Sequence, residues 1–150
     1  MTSERKWEIF KYVFAAGSIV VFLFYKFSHL VLHFGDGNAY VYMADAILKG
    51  NVPYRDFFLA DPPFMVYLLA FFKLFFGGKL ILFQVLPVIF EAITSGIIFL
   101  ILKKWNNSLA FLAPLFYLFS FSTISTSDYL TGVQLVVMLS VLAIYFWENK

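Results

Sequence analysis

The chain contains no cysteine, which excludes disulfide bonds, thiol nucleophiles and thiolate metal sites. Charged residues make up only 13% of the 150 residues, whereas a typical soluble domain has about 25%. The formal net charge of +2 is too small to indicate nucleic-acid binding. Apolar residues fill the chain instead: 62% of them are hydrophobic, and the mean hydropathy is +0.84. This composition indicates an integral membrane protein.

The hydrophobic runs predict an all-α integral membrane fold with about four transmembrane helices, in a single module covering residues 1–150. Pro114 predicts a kink in the third span. A short basic segment without a cleavage signal precedes the first span, which we interpret as an uncleaved signal anchor. The expected spans cover, in chain order, residues 9–34, 80–102, 108–126 and 129–147.

The polar loop between the first two spans, residues 35–79, is expected to hold two juxtamembrane helices. The first, residues 38–49, is amphipathic. The second, residues 64–76, begins after Pro62-Pro63 and ends at Gly77-Gly78. About 13 residues rise only ~20 Å, against a hydrocarbon core of ~30 Å. We therefore interpret this second helix as re-entrant or interfacial. The apolar stripe of the first helix consists of Tyr40, Met43, Ala44, Ile47 and Leu48.

The distribution of Lys and Arg predicts the orientation of the chain. With a cytoplasmic N-terminus and four spans, six of these residues lie inside and four outside. If residues 64–76 crossed the membrane, the split would be five and five. The bias favours the four-span topology in the cytoplasmic membrane, with loop 35–79 extracytoplasmic. The aspartates expected on the outer face are Asp36, Asp45, Asp56, Asp61 and Asp128.

Asp36 and Asp128 are the candidate catalytic residues. In this topology they come from distant parts of the chain to one membrane surface, where one carboxylate can act as a general base for an acceptor hydroxyl. Carboxylates at such a site also bind a divalent cation, so Asp36 is the candidate ligand of a Mg²⁺ or Mn²⁺ ion. The alternative is that each aspartate caps the N-terminus of a helix. The two roles are compatible.

Three further charged groups carry alternative interpretations. Arg55 either forms a local ion pair with Asp56 or offers its guanidinium to a phosphate at the lipid headgroup level. Asp61 precedes a proline and is expected to cap the following helix, with a catalytic role as the alternative. Glu91 lies near the centre of the second span, where an acid is costly. We expect Glu91 to make an inter-helix hydrogen bond, with a proton relay as the alternative. The polar side chains on nearby turns are Gln84, Thr94 and Ser95.

The loop motif resembles the N-terminal part of the glycosyltransferase-C superfamily, whose members include dolichyl-phosphate-mannose protein mannosyltransferases and bacterial aminoarabinose lipid A transferases. The resemblance implies an extracytoplasmic loop with two juxtamembrane helices and an active-site acid, which Asp36 matches. Asp128 resembles a second acidic position of some members. Many members carry two adjacent acidic residues where this chain has Asp36-Gly37. Members also typically have many more spans than the four expected here. The motif consists of Asp36, Tyr40, Ala44, Leu48-Lys49-Gly50, Pro53-Tyr54-Arg55-Asp56-Phe57 and Pro62-Pro63.

The resemblance implies a membrane glycosyltransferase, or the N-terminal part of a longer one, completed by further spans of the same or another chain. It would transfer a sugar from a polyprenyl-phosphate carrier to an acceptor on the extracytoplasmic side, with Asp36 as base. Membrane lipid is an expected partner and nucleic acid is not. The alternative is a non-enzymatic four-helix membrane protein that acts as an assembly or lipid-binding subunit. The candidate substrate-binding residues are Tyr40, Arg55, Asp56 and Asp61.

Overall fold

The computed structural model describes residues 3–31 and 35–149, and it is all-helical, as the composition and hydrophobic runs predict. Helix accounts for 74% of the structure, and the described ranges contain no β-strand. The α-helices of these ranges are α1 (Ser3–Ser28), α2 (Asp36–Leu48), α3 (Phe64–Phe76), α4 (Leu80–Phe83), α5 (Val85–Trp105), α6 (Ala113–Leu118), α7 (Phe121–Thr126) and α8 (Val133–Trp147).

Two helical stretches are long and apolar enough to cross a membrane. α1 has 26 residues, and α4 and α5 together form a second stretch of 26 residues, Leu80–Trp105. Each is about 39 Å long, which exceeds the ~30 Å hydrocarbon core. α1 and α5 pack antiparallel, since Ala15 shares one apolar cluster with Phe99 and Phe22 shares another with Val88. The last residues of the expected first span, 32–34, lie outside the described residues.

The third and fourth expected spans differ from the sequence prediction. Residues 108–126 divide into a 3-10 turn, α6 and α7, because α6 ends at Leu118 and Ser120 starts a new helix. The Ser120 hydroxyl caps α7 by accepting a hydrogen bond from the Thr123 backbone N–H at 3.2 Å. Pro114 lies in the first turn of α6, where its missing N–H costs nothing, so it opens a helix rather than kinking one. α8 has 15 residues, about 22 Å.

α2 and α3 pack against each other and on the first turns of the spanning stretch. α3 has the bounds expected from sequence and ends at Gly77, whose φ of 62° suits glycine. An ion pair of 2.6 Å between Lys73 and Asp45 joins the two helices. The face of α3 opposite this contact carries exposed aromatic side chains, including Phe71 and Phe75. The buried residues that the two helices contribute to their shared core are Val41, Ala44, Met65, Val66, Leu69 and Ala70.

Apart from Glu91, the packing places the charged residues at two opposite ends of the α1–α5 pair. At one end the Asn107 amide donates to Glu8 at 2.9 Å, and Lys104 donates to the Asn149 side chain at 2.5 Å, so α1, α5 and α8 meet there. α2, α3 and the start of α8 meet at the other end. The first is called the basic end and carries Arg5, Lys6, Lys11, Lys103 and Lys104. The second is called the aspartate end and carries Asp36, Asp45, Asp56, Asp61 and Asp128.

Candidate functional site

Asp36, Tyr40 and Asp61 form an acidic cluster at the aspartate end. Asp36 begins α2, and Tyr40 follows one turn later on the same side of the helix. The Tyr40 O–H donates to Asp61 Oδ2 at 2.5 Å, and the Tyr54 O–H donates to the Asp61 backbone carbonyl at 2.7 Å. Tyr40 therefore holds the segment before α3 against α2, and Tyr54 ties Asp61 to the preceding turn of the same loop.

The electrostatics of this acidic cluster act on the Tyr40 phenol. Its pKa is raised to about 12, chiefly by the hydrogen bond to Asp61, and partial burial and the negative charges of Asp61 and Asp36 act in the same direction. Tyr40 is therefore a neutral hydrogen-bond donor at physiological pH. Both carboxylates therefore lie close enough to Tyr40 for their negative charges to raise its pKa.

Asp36 lies in the first turn of α2 and not at its N-cap. Gly35 is the N-cap residue, and its carbonyl accepts a hydrogen bond from the Asn38 N–H at 3.0 Å. The capping alternative for Asp36 is therefore wrong. The positive end of the α2 dipole still stabilises the carboxylate there. Asp36 lines a cavity of about 220 Å³, here called the Asp36 cavity. Its other polar lining residues are Asn38, Gln84, Tyr129 and Thr131.

The expected cap at Asp61 is also absent, since the N-cap residue of α3 is Pro63, whose carbonyl accepts from the Tyr67 N–H at 3.1 Å. Asp61 and Tyr40 instead lie at the polar edge of a second depression of about 280 Å³, here called the apolar groove. The groove runs between the first halves of α3 and α8, and Thr131 lines both the groove and the Asp36 cavity. Its apolar lining includes Phe64, Met65, Val66, Leu135, Val136 and Leu139.

Asp128 is buried in an ion pair with Lys26, a residue of the first span that was not predicted to belong to the site. Lys26 Nζ lies 2.7 Å from Asp128 Oδ1 and donates to the Ile124 carbonyl at 2.9 Å. Both charged side chains are more than nine-tenths buried. The N-cap residue of α8 is Gly132, so the capping alternative for Asp128 is wrong as well. Through this ion pair, Asp128 anchors segment 127–132 to α1.

The segment 127–132 presses directly on the start of α2. A Cβ atom at Gly37 would lie 2.9 Å from Leu130 Cβ and 3.2 Å from the Leu130 carbonyl oxygen, so only glycine fits without movement. Thr131, next in the chain, then lies between the Asp36 cavity and the apolar groove. The structure therefore brings the chain segments that carry Asp36 and Asp128 into contact, while the Asp128 carboxylate itself is paired with Lys26.

Arg55 and Asp56 form the local ion pair expected from sequence. The Arg55 Nε donates to Asp56 Oδ1 at 3.0 Å and Nη2 donates to Oδ2 at 2.8 Å, while the Val52 N–H donates to Oδ2 at 2.8 Å. The guanidinium lowers the pKa of Asp56 to about 2, with the backbone bond acting in the same direction. These contacts close a turn at Tyr54, whose φ is 66°. A contact between Arg55 and a donor phosphate stays a prediction.

Metal binding at this site also stays a prediction. Residues 3–31 and 35–149 contain no group of three or more His, Cys, Asp or Glu side chains that could hold a metal ion. Asp36, the candidate ligand, lines the Asp36 cavity, and Mg²⁺ commonly takes only one or two protein carboxylates beside substrate phosphate and water.

Glu91 lies away from the site, buried between α5 and α6. The Tyr117 O–H donates to its Oε2 atom at 2.5 Å, which confirms the expected inter-helix hydrogen bond. The partner differs from the expected ones, since Thr94 and Ser95 donate to backbone carbonyls of their own helix. Tyr117 escaped sequence reasoning because it lies 26 positions away, on another helix.

Comparisons with known proteins add no family to this geometry. A scan against protein-family models matches none of them, and searches of curated proteins and of solved structures return no match. The likeness to the glycosyltransferase-C superfamily is therefore carried by the loop motif and the layout of the chain alone.

Proposed function

We propose that the chain is a membrane glycosyltransferase, or the N-terminal part of one, that transfers a sugar from a polyprenyl-phosphate carrier to an acceptor on the extracytoplasmic side. One observation carries the proposal: the acidic cluster adjoins the apolar groove, with Tyr40 and Asp61 at their boundary. A polyprenyl-phosphate sugar has the same division, because a hydrocarbon chain is joined to a polar head. The groove suits the chain of such a donor, and the Asp36 cavity suits its head.

Asp36 is the proposed general base. Its carboxylate accepts the proton of the acceptor hydroxyl while that oxygen attacks the anomeric carbon of the sugar. The bond from this carbon to the phosphate oxygen breaks, and the carrier phosphate leaves with the electron pair, so the anomeric configuration inverts. Tyr40, neutral at physiological pH, keeps Asp61 in place beside the reacting groups.

The donor phosphate needs a positive partner, because Asp36 and Asp61 both repel it. Asp36, together with Asp61, would hold a Mg²⁺ or Mn²⁺ ion, and that ion would supply the positive charge that stabilises the leaving phosphate. Arg55 supplies a second cation in the same loop, and it would have to exchange one of its two bonds to Asp56 for the phosphate.

The proposed placement in the membrane follows from the helix lengths and the sorting of charge. α1 and the α4–α5 stretch cross the bilayer with the basic end in the cytoplasm, and α2 and α3 lie at the outer surface. The broken α6–α7 segment and the short α8 then complete a four-pass topology beside them. In this placement the acidic cluster meets carriers whose sugars are outside.

The alternative function is a lipid-binding or assembly subunit without chemistry. It is favoured by the apolar lining of the groove, which can hold a lipid chain without a reacting head. It is favoured also by exposed apolar side chains near the end of α8, outside the groove, where Ile144 and Phe146 are available to a neighbouring helix. The two functions differ in their requirement for Asp36.

Replacement of the proposed base separates them. Asp36→Asn should lower the rate of sugar transfer from a polyprenyl-phosphate donor by about 10²–10⁴-fold, since the amide accepts no proton. The measurement is transfer of radiolabelled sugar by membranes containing the chain together with any further spans it requires. Asp45→Asn, on the same helix but paired with Lys73, is the matched control and should keep its activity. Full activity of Asp36→Asn removes Asp36 from the mechanism.

A further inference from the structure

The basic end holds all three tryptophans of the chain. Trp7, Trp105 and Trp147 come from α1, α5 and α8, and their side chains are 48%, 67% and 75% exposed. Trp7 stacks on Phe10 with ring centroids 5.1 Å apart, and this contact fixes the position of the indole at the basic end. Exposed tryptophans at the same end of three helices are typical of the headgroup region of a bilayer. There one part of the indole contacts hydrocarbon and its N–H contacts water or headgroups.

The charge of the basic end is positive, whereas that of the aspartate end is balanced. Among the described residues, the basic end has five Lys or Arg against three glutamates, and the aspartate end has five against five aspartates. The three glutamates are Glu4, Glu8 and Glu148. Glu8 is already engaged by Lys11 at 2.5 Å and by Asn107 at 2.9 Å. Arg5 and Lys6, by contrast, have exposed side chains in the first turns of α1.

From this juxtaposition we propose that the basic end binds the headgroups of anionic phospholipids. The inference rests on the proposed placement in the membrane, but not on the proposed chemistry. Arg5 and Lys6 contact the lipid phosphates, while the tryptophans fix the depth of the bundle. Lys103 and Lys104 join the helices at the basic end. Lys103 donates to the Tyr12 hydroxyl of α1, and Lys104 donates to the Glu148 carbonyl after α8 at 3.2 Å. Binding of a nucleic acid or an acidic protein would account for the positive charge of the basic end, but not for its three exposed tryptophans.

The tryptophans themselves provide the probe. The chain is placed in vesicles of equal parts phosphatidylglycerol and phosphatidylcholine, in two matched preparations. In one preparation the phosphatidylglycerol is brominated, and in the other the phosphatidylcholine is. The bromine atoms lie on the acyl carbons nearest the headgroup. Because every tryptophan lies at the basic end, fluorescence quenching reports only on lipids that contact that end. We expect brominated phosphatidylglycerol to quench about twofold more than brominated phosphatidylcholine, and the difference to shrink at high salt.

Two double variants assign the effect to residues. Arg5→Gln with Lys6→Gln should bring the quenching ratio close to one. Lys49→Gln with Lys79→Gln removes the same charge from exposed lysines at the aspartate end and should leave the ratio unchanged. Equal quenching by both lipids in the unmodified chain overturns the proposal. A quenching ratio that stays unchanged in the Arg5→Gln, Lys6→Gln variant overturns it as well. Absence of quenching by either lipid overturns it together with the membrane placement, whereas loss of transferase activity alone leaves it standing.

Discussion

Lys26 and Asp128 couple α1 to the segment that separates the Asp36 cavity from the apolar groove. Both groups are withdrawn from solvent, so their charges compensate each other and neither is tolerated alone. Lys26 also binds the Ile124 carbonyl near the end of α7, while the Gln134 amide binds the Thr126 carbonyl at 3.0 Å. The ion pair therefore holds the segment that lines both depressions against α1 and α7.

Lys26→Met should destabilise the chain by about 3–5 kcal/mol, because it leaves Asp128 as an unpaired buried charge. Adding Asp128→Asn to the same chain should restore part of that loss. The measurement is the free energy of unfolding in detergent micelles. Lys73→Met, which breaks the more exposed pair with Asp45, is the control and should cost about 0–1 kcal/mol. A loss for Lys26→Met no larger than that of the control would contradict the role of the buried pair.

The hydrogen bond from Tyr40 to Asp61 predicts a response to alkaline pH. The pKa of Tyr40 is about 12 in the folded chain against an ordinary value of 10.0. Its stabilising effect is therefore complete below pH 10.0 and is lost as the pH rises toward 12. Tyr40→Phe should lack this component of the alkaline loss of stability, measured by unfolding at a series of pH values. Tyr42→Phe, at an exposed position of the same helix, should behave as the unmodified chain does.

Among the elements, the contact between α2 and segment 127–132 controls the shape of the site. Gly37 allows the backbone of α2 to lie against Leu130, and no side chain fits between them. Thr131 follows at once and lines both depressions, so a displacement of this segment changes the Asp36 cavity and the apolar groove together. Backbone packing thus couples the shape of the groove to that of the cavity around Asp36, the proposed base.

Gly37→Ala should lower stability by about 1–3 kcal/mol, because the new methyl group would meet Leu130 and force the segment away. Gly78→Ala is the control, since it lies in the turn after α3 and a Cβ there meets no described atom within 4 Å. Thermal unfolding of the two variants side by side tests the contact. If both variants unfold at the same temperature, α2 and Leu130 are not packed as described.

The elements differ in how far the sequence predicts them. α3 was predicted with its bounds because Pro62-Pro63 and Gly77-Gly78 are strong local stop signals. The prediction of one span over residues 108–126 misses the break between α6 and α7, although a run rich in serine and threonine begins at Ser120. The partner of Asp128 could not be predicted, because Lys26 lies 102 positions away and only tertiary packing joins them. Local chemistry is readable from sequence, whereas pairing across helices is not.

For the molecule as a whole, the separation of the basic end from the aspartate end is the feature on which the proposed function depends. The α1–α5 pair is long enough to place these ends on opposite sides of a bilayer. Three tryptophans and an excess of basic residues mark one end, and every aspartate of the chain lies at the other. A donor with an extracytoplasmic sugar reaches the acidic cluster only if the aspartate end faces outward.

Single-cysteine labelling measures this orientation directly, since the chain has no cysteine of its own. Asn51→Cys places a thiol in the exposed turn after α2, and Ser108→Cys places one in the exposed turn after α5. A membrane-impermeant maleimide should label the Asn51 variant in intact cells and the Ser108 variant only after the cells are permeabilised. Labelling of both variants from the same side, or of the Ser108 variant alone in intact cells, would contradict the proposed topology and the transferase reaction that depends on it.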